Sequence, residues 1–255
     1  MPEVLYGRNP VREALRAGRR LRRLLVASGL DNDQRVAEIV LLASQVGVAP
    51  ELAERGQLAD IAHTEHHQGV AGYFDSRQLP GMEFVRHLLR EPRRQWPALI
   101  LCLDGVQDPQ NLGALARAAE SLGVDAMVLP KHRTAPASAA AVKASAGALE
   151  HLPLVRVVNL SQTLQELTDL GLLVVGLDQG AETRTDEADF GQPLALVVGS
   201  EGEGLRHLTK RRCGLLISIP MGGQVDSLNA AVAGSVVLYE VARQRRFAFP
   251  GRSGR

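Results

Sequence analysis

Aromatic residues are scarce in this chain, 4% of positions with a single tryptophan, which leaves few stacking platforms for unpaired bases. Cysteine is scarcer still. Cys102 in "LILCLDG" and Cys213 in "RRCGLLI" each adjoin an apolar, strand-like run, and two thiols supply neither a disulfide framework nor a zinc site. Both are expected to be buried free thiols. No apolar run approaches the roughly 18 to 20 residues of a membrane span, and "MPEVLYGRNP" lacks the pattern of a secretory signal. Cytoplasm is therefore the expected compartment, with no membrane partner. A large charge imbalance is missing too: the formal net charge is +1, which alone says nothing about nucleic acid.

What is present is an apolar fraction of 45% over 255 residues, enough to bury the cores of one large or two small domains. Charge is unevenly distributed. Residues 1 to 23 hold seven arginines against Glu3 and Glu13, a local +5, so a basic N-terminal face is expected. Smaller clusters recur at Arg93-Arg94, Lys131-His132-Arg133, Lys210-Arg211-Arg212 and Arg243 to Arg246. Solvated arginine-rich faces would give the same pattern at any one of them.

The first segment alternates helices and strands. Asn9-Pro10 predicts an N-cap with proline at the first helical position and a short helix Val11 to Ala17, placing Arg8, Arg12 and Arg16 on one outer face. "LRRLLVA", "VAPELA" and "GVAGYF" read as strands, and "DNDQRVAEIVLLASQVG" as a capped helix. A compact α/β domain over 1–75 is expected, then a linker over 76–97 rich in proline and carrying a helix-like Met82 to Arg90. From Ala98, near-continuous apolar strands alternate with helices as far as residue 247, before a tail over 248–255. That rhythm predicts a parallel sheet covered on both faces.

Three strand-to-helix turns carry unusual polar groups, and ligands of open α/β sheets bind at the carboxyl ends of strands. In "LDGVQDPQNLGALARAAESLG", Asn111 suits an N-cap and Arg117 follows among alanines. "LALVVGSEGEGL" sets three glycines and Glu201 directly after a strand. The third, "IPMGGQVDSLNAAVAGSVV", offers Ser227 or Asp226 as a helix cap, with Asn229 one step inside. A dinucleotide fingerprint fails because the glycines come late and Ile219-Pro220 stands where an acid is wanted; a nucleophile elbow fails because Val198 occupies its glycine position. "HTEHHQG" groups His63, His66 and His67 without completing a metal motif.

Together and in this order, "DPQNLGALARAAESLG", "VVGSEGEGL" and "IPMGGQVDSLNAAVA" resemble the three motifs of the SpoU/TrmH family of RNA methyltransferases, in the SPOUT class. The likeness runs nearly end to end, through "LYGRNPVREAL", "HHQGVAGYF", "LPKHRTAP" and "KASAGALEHLPLVRVVNL". It is greatest to the RlmB-type enzymes that make 2'-O-methylguanosine in 23S ribosomal RNA. The resemblance implies a deep trefoil knot in the C-terminal domain, S-adenosylmethionine as cofactor, no metal and a homodimer. It maps a catalytic polar set onto Asn111, Arg117, Glu201, Ser227 and Asn229, and cofactor contacts onto Gly199, Gly202, Ile219, Met221 and Leu228. It also implies an N-terminal RNA-binding unit in which Arg8, Arg12, Arg16, Arg19 and Arg20 meet phosphates. A tRNA ribose methylase, a noncatalytic RNA-binding assembly protein and a dinucleotide-dependent enzyme are the competing expectations.

Overall fold

The computed structural model describes residues 2–30, 32–91, 96–224 and 227–248. Arg93, Arg94, Asp226 and the tail from residue 249 lie outside them. Up to residue 98 the chain runs β1 (Glu3–Tyr6), α1 (Arg8–Arg16), β2 (Leu21–Ala27), α2 (Gln34–Gln45), β3 (Pro50–Ala53), α3 (Arg55–Ala62), β4 (Val70–Phe74) and α4 (Met82–Leu89). Next come β5 (Leu99–Asp104), α5 (Pro109–Ser121), β6 (Ala126–Pro130), α6 (Ala139–Ala144), β7 (Leu154–Val157), α7 (Leu160–Asp169) and β8 (Leu173–Leu177). The last are β9 (Thr183–Arg184), β10 (Leu194–Gly199), α8 (His207–Lys210), β11 (Leu215–Ser218) and α9 (Ala230–Gln244). Among the described residues no helix is long and apolar enough to cross a membrane.

The chain divides into two compact units, Met1–Gln78 with Ala137–His151, and Leu79–Pro136 with Leu152–Arg255. The first is built on a sheet ordered β1-β4-β2-β3, in which only the β2/β3 pair is parallel. Helix α1 starts earlier than its sequence suggests: Gly7 is the N-cap, and Gln68 Oε1 accepts the Arg8 N–H at 3.0 Å. Pro10 is tolerated in the first turn because N–H groups there have no intrahelical acceptor. Helix α3 was not legible, since Gly56 and Asp60 are poor helix formers. It is held at its start by Gln57 Oε1, which accepts the Glu54 N–H at 3.1 Å.

Residues 137–151, expected within the second domain, pack instead in this first unit. Arg19 reaches Glu150 at 3.0 Å and Glu3 at 2.7 Å, His151 meets Glu13 at 2.9 Å, and Lys143 donates to the His66 carbonyl at 2.6 Å. Gly147 sits at φ 93°, where a Cβ would lie 2.6 Å from the Glu13 side chain, so "SAGALE" admits no larger residue there. Burial pushes the Glu150 carboxyl above the usual range, opposed by Arg19 and Arg77.

His67 belongs to this unit's interior rather than to a cluster: its Nδ1 accepts the Gly69 N–H at 3.0 Å, and the side chain is buried. Burial lowers its pKa, with Arg55 and Lys143 adding and Glu65 opposing. The native unit therefore holds the ring neutral while the unfolded chain protonates it near ~6.5. Its contribution is complete above that pH and is lost as pH falls through the depressed native value. Urea unfolding between pH 5 and 8 is expected to show stability falling on the acid side, and His67→Asn, which keeps an acceptor, to flatten that dependence. An unchanged slope in the variant would assign the pH effect elsewhere.

The second unit holds a seven-stranded sheet ordered β7-β6-β5-β10-β8-β11-β9, with every strand pair parallel. Every residue of β5 and β10 is buried. On one face, Ile100, Cys102, Ala195 and Val197 pack with Met82 and Val85 of α4 and Leu160, Leu164 and Leu167 of α7. On the other, Gly234 of α9 lies close to Val198 and to Leu115 of α5. Alternation along β10 puts these layers on opposite faces, as the apolar runs predicted. The stretch expected as a linker joins this core from Leu79 onward, and the Arg156 N–H donates to the Pro80 carbonyl at 3.0 Å. Cys102 is buried, but Cys213 is only half-buried; burial, with Asp104 and Asp178, pushes its thiol up to about 12.

Candidate functional site

Strands β5 and β10 are neighbours, with Asp104 opposite Gly199 at their carboxyl ends. Beyond Gly199 the chain folds back at once: Ser200 and Gly204 exchange N–H···O bonds of 3.1 Å each way. This closure dictates glycine at 199. A Cβ there would stand 2.2 Å from the Gly204 carbonyl carbon and 2.5 Å from the Leu205 nitrogen, both backbone atoms. Asp104 fixes the far side of the loop. Fully buried, it accepts the Arg206 N–H at 2.9 Å and the Arg206 Nε–H at 2.6 Å. Sequence reasoning passed over this pair, although a lone carboxylate ending an apolar strand in "LILCLDG" was its visible sign.

The caps differ from expectation in a way that builds the site. Helix α5 is capped by Asp108, whose side chain accepts the Gln110 N–H at 3.0 Å, with Pro109 following. Proline's fixed φ starts the helix there, so Asn111 falls within the first turn, 8% exposed and free of capping duty. Helix α9 is capped by Asn229 rather than by Ser227; Asn229 Oδ1 accepts the Ala231 and Val232 N–H groups at 2.9 and 3.2 Å. Its amide group turns the other way, donating to Asn111 Oδ1 at 3.0 Å and to Glu201 Oε1. One asparagine thus ties the first, second and third motif turns together.

Around this knot of polar groups lies a pocket of about 610 Å³, within the usual range for small-molecule sites. It is lined by residues 177–180 at the end of β8 and beyond, 198–204 around the β10 turn, Ile219 and Met221 after β11, and 227–230 at the start of α9. All five residues expected to hold a cofactor, Gly199, Gly202, Ile219, Met221 and Leu228, line it, as do Glu201, Ser227 and Asn229. Met221 and Leu228 present exposed apolar surface. Asp178 and Lys210, paired with each other, complete the wall and were not foreseen. Arg117 does not join them. It is exposed on α5, does not line the pocket, and makes no side-chain hydrogen bond or ion pair among the described residues. Among the described residues no three His, Cys, Asp or Glu side chains are grouped to hold a metal.

The N-terminal arginines are less free than a count along the chain suggests. Arg8 pairs with Asp33 at 2.7 Å, Arg12 with Glu13 at 2.9 Å, and Arg16 with Glu38. Arg19 is enclosed by Glu3, Glu150 and the Asp75 carbonyl, so it is an internal tie. Arg20 is the most open, its side chain 71% exposed and 4.0 Å from Asp75.

Two family models match this chain in succession. Residues 4–80 match the family described as RNA 2'-O ribose methyltransferase substrate binding, and residues 98–239 match the SpoU rRNA methylase family. A tRNA/rRNA methyltransferase of Mycolicibacterium gilvum, itself uncharacterized, is 44% identical over 96% of this chain and 77% of its own length. The crystal structure of the SpoU methyltransferase AviRb from Streptomyces viridochromogenes, in complex with the cofactor AdoMet, superposes with a TM-score of 0.78 and 27% identity. That match covers 100% of this chain and 92% of the other. An AdoMet-bound rRNA methyltransferase from Sinorhizobium meliloti gives 0.76 and 25%, over 95% and 87%. With its larger unit matched from the first strand of the parallel sheet into the last helix, the chain belongs to the SpoU rRNA methylase family.

Proposed function

We propose that this protein methylates the 2'-hydroxyl of a guanosine ribose in 23S ribosomal RNA, with S-adenosylmethionine as cofactor. The observation that carries the reading is Asn229, which joins Asn111 and Glu201 beside a glycine-walled pocket. The pocket suits the cofactor in kind. Gly199 and Gly202 open backbone groups to a ligand's adenine, while Met221 and Leu228 offer apolar cover. When bound, S-adenosylmethionine supplies an electrophilic sulfonium methyl. The chain's task is then to orient the ribose and manage charge on its hydroxyl.

With Asn229 held at both ends, the Asn111 amide and the second Glu201 oxygen remain to meet the ribose, and Ser227 stands on the same wall. Arg117, free of internal partners, is assigned to the adjacent phosphate and to the developing alkoxide. A guanidinium, which keeps its charge in proteins, suits that role better than proton removal. Arg117→Lys keeps the charge but loses the planar fork. Turnover is expected to fall roughly tenfold to a hundredfold at every pH from 6.5 to 9, a loss of about 1.4 to 2.7 kcal/mol in transition-state binding. Undiminished turnover would remove the clamp.

RNA contacts in the first unit are assigned to Arg8, Arg12, Arg16 and Arg20, with Arg19 internal. Ribosomal rather than transfer RNA is favoured because the similarity to the Sinorhizobium meliloti rRNA methyltransferase extends over both units. A homodimer is supported by one exposed apolar stripe on α9, Val232, Val236 and Tyr239; their spacing puts them on one helix face. A trefoil knot is supported by the strand order. β10 lies between β5 and β8, β11 lies beyond β8, and the loops after β8, β10 and β11 meet around one pocket. The decisive experiment maps 2'-O-methyl groups in ribosomal and transfer RNA from cells lacking the protein. Loss at one 23S guanosine is expected, and loss confined to tRNA would overturn the substrate.

A further inference from the structure

The loop "KHRTAP", which follows β6, has no part in the site so far. Its ends are fixed: the Lys131 N–H donates to the Val157 carbonyl at 2.7 Å, and the Ala135 N–H to the Val106 carbonyl at 2.8 Å. Val106 lies in the turn that carries Asp108 and Asn111. Its neighbour Gly105 faces Ser200 at van der Waals range: a Cβ on it would be 3.4 Å from the Ser200 Cβ. The loop therefore abuts the catalytic turns at the carboxyl edge of the sheet. Lys131, His132 and Arg133 are all exposed, and none makes a side-chain hydrogen bond or ion pair among the described residues.

All three basic residues of the loop share that freedom. In the other described basic clusters most members are engaged: Lys210 pairs with Asp178, Arg212 bonds Ser161 and Gln165, Arg243 pairs with Glu240, and Arg245 holds backbone carbonyls, while Arg211 and Arg246 are exposed single cations without a side-chain partner among the described residues. A cation without an internal partner meets a phosphate with no carboxylate to displace. Two further features are left open by the fold alone. Arg133 has φ 59°, a conformation costly for a non-glycine residue, and Thr134 Oγ1 is buried without a hydrogen-bond partner among the described residues.

We infer that Lys131 and Arg133 form a second RNA-phosphate site, on the catalytic unit, that holds the backbone next to the target nucleotide. The inference rests on the RNA-methylating reading. The loop would position the strand without reading bases, as phosphate contacts do. The test uses the full-length protein and an unmodified 23S rRNA transcript, measuring binding against salt and, separately, methyl incorporation. For Lys131→Gln with Arg133→Gln, the slope of log affinity against log salt is expected to fall by about 1.4 to 1.8, that of two phosphate contacts. Affinity should drop roughly tenfold at ~0.1 M salt, with S-adenosylmethionine affinity unchanged. The exchange Lys131→Arg with Arg133→Lys should restore both slope and affinity. An unchanged salt slope, or a charge-preserving variant as weak as the neutral one, would overturn the site. Methyl incorporation by the unaltered enzyme reads the parent proposal separately, since the binding slope does not depend on transfer.

Discussion

Asn229→Ala is expected to lower turnover by about a hundredfold to a thousandfold, the loss typical of removing one donor that organises charge at a reacting centre. It should also lower the melting temperature by about 2 to 4 °C, from a cap worth ~1 kcal/mol. The two effects come from opposite ends of one side chain. The Asn229 oxygen receives the first N–H groups of α9, and its amide nitrogen serves Asn111 and Glu201. Asn229→Asp separates them. A carboxylate still caps the helix, but it offers no donor to Asn111 and repels Glu201. Turnover should therefore fall about as far as in the alanine variant, while thermal stability stays closer to that of the unaltered protein. Normal turnover in the Asn229→Asp variant would show that the cap alone matters and that the three-way bond is incidental.

Gly199→Ala is expected to cost the second large amount, at least a hundredfold in S-adenosylmethionine affinity, about 2.7 kcal/mol. The new methyl would meet the Gly204 carbonyl carbon at 2.2 Å and its oxygen at 2.4 Å. Neither can move aside as a side-chain tip would, so the Ser200–Gly204 bridge must open. Gly202 is the control. It has φ 84° but open space around its position, so Gly202→Ala strains one residue without prising the loop from the strand. Titration calorimetry should show the larger loss at 199, with circular dichroism confirming that both variants fold. Equal affinities for Gly199→Ala and the unaltered protein would mean the turn is not a cofactor wall.

Much of the second unit was legible because its strands are buried on both faces and so read as unbroken apolar runs. Apart from the two-residue β9, its strands are the near-continuous apolar runs that follow Ala98. The pocket residues were legible for another reason: glycines and polar groups gather directly after apolar strands, where ligands of open α/β sheets bind. Three things were hidden. Which side chain caps a helix depends on where the first turn begins, and Asp108 and Asn229 each took a role predicted for a neighbour. Charge summed along the first 23 residues omits the carboxylates that folding brings alongside, Asp33, Glu38 and Glu150 among them. Finally, Asp104 and Arg206 lie 102 residues apart, and although a carboxylate ending an apolar strand is visible locally, nothing in either segment names its partner.

The first unit closes over a long interval of chain. Arg19 is partnered by Glu150, 131 residues later, and the Glu13 side chain waits for Gly147 and His151. During synthesis the N-terminal sheet can pair as soon as β4 has emerged, yet Arg19 stays without its inner carboxylate until most of the parallel sheet's first half has been made. At the usual ~5 to 20 residues per second, that is an interval of several seconds. Throughout it the nascent unit lacks residues 137–151, and Arg19 rests on Glu3 and the Asp75 carbonyl alone. The order of the chain thus makes this RNA-binding unit among the first parts begun and among the later ones completed.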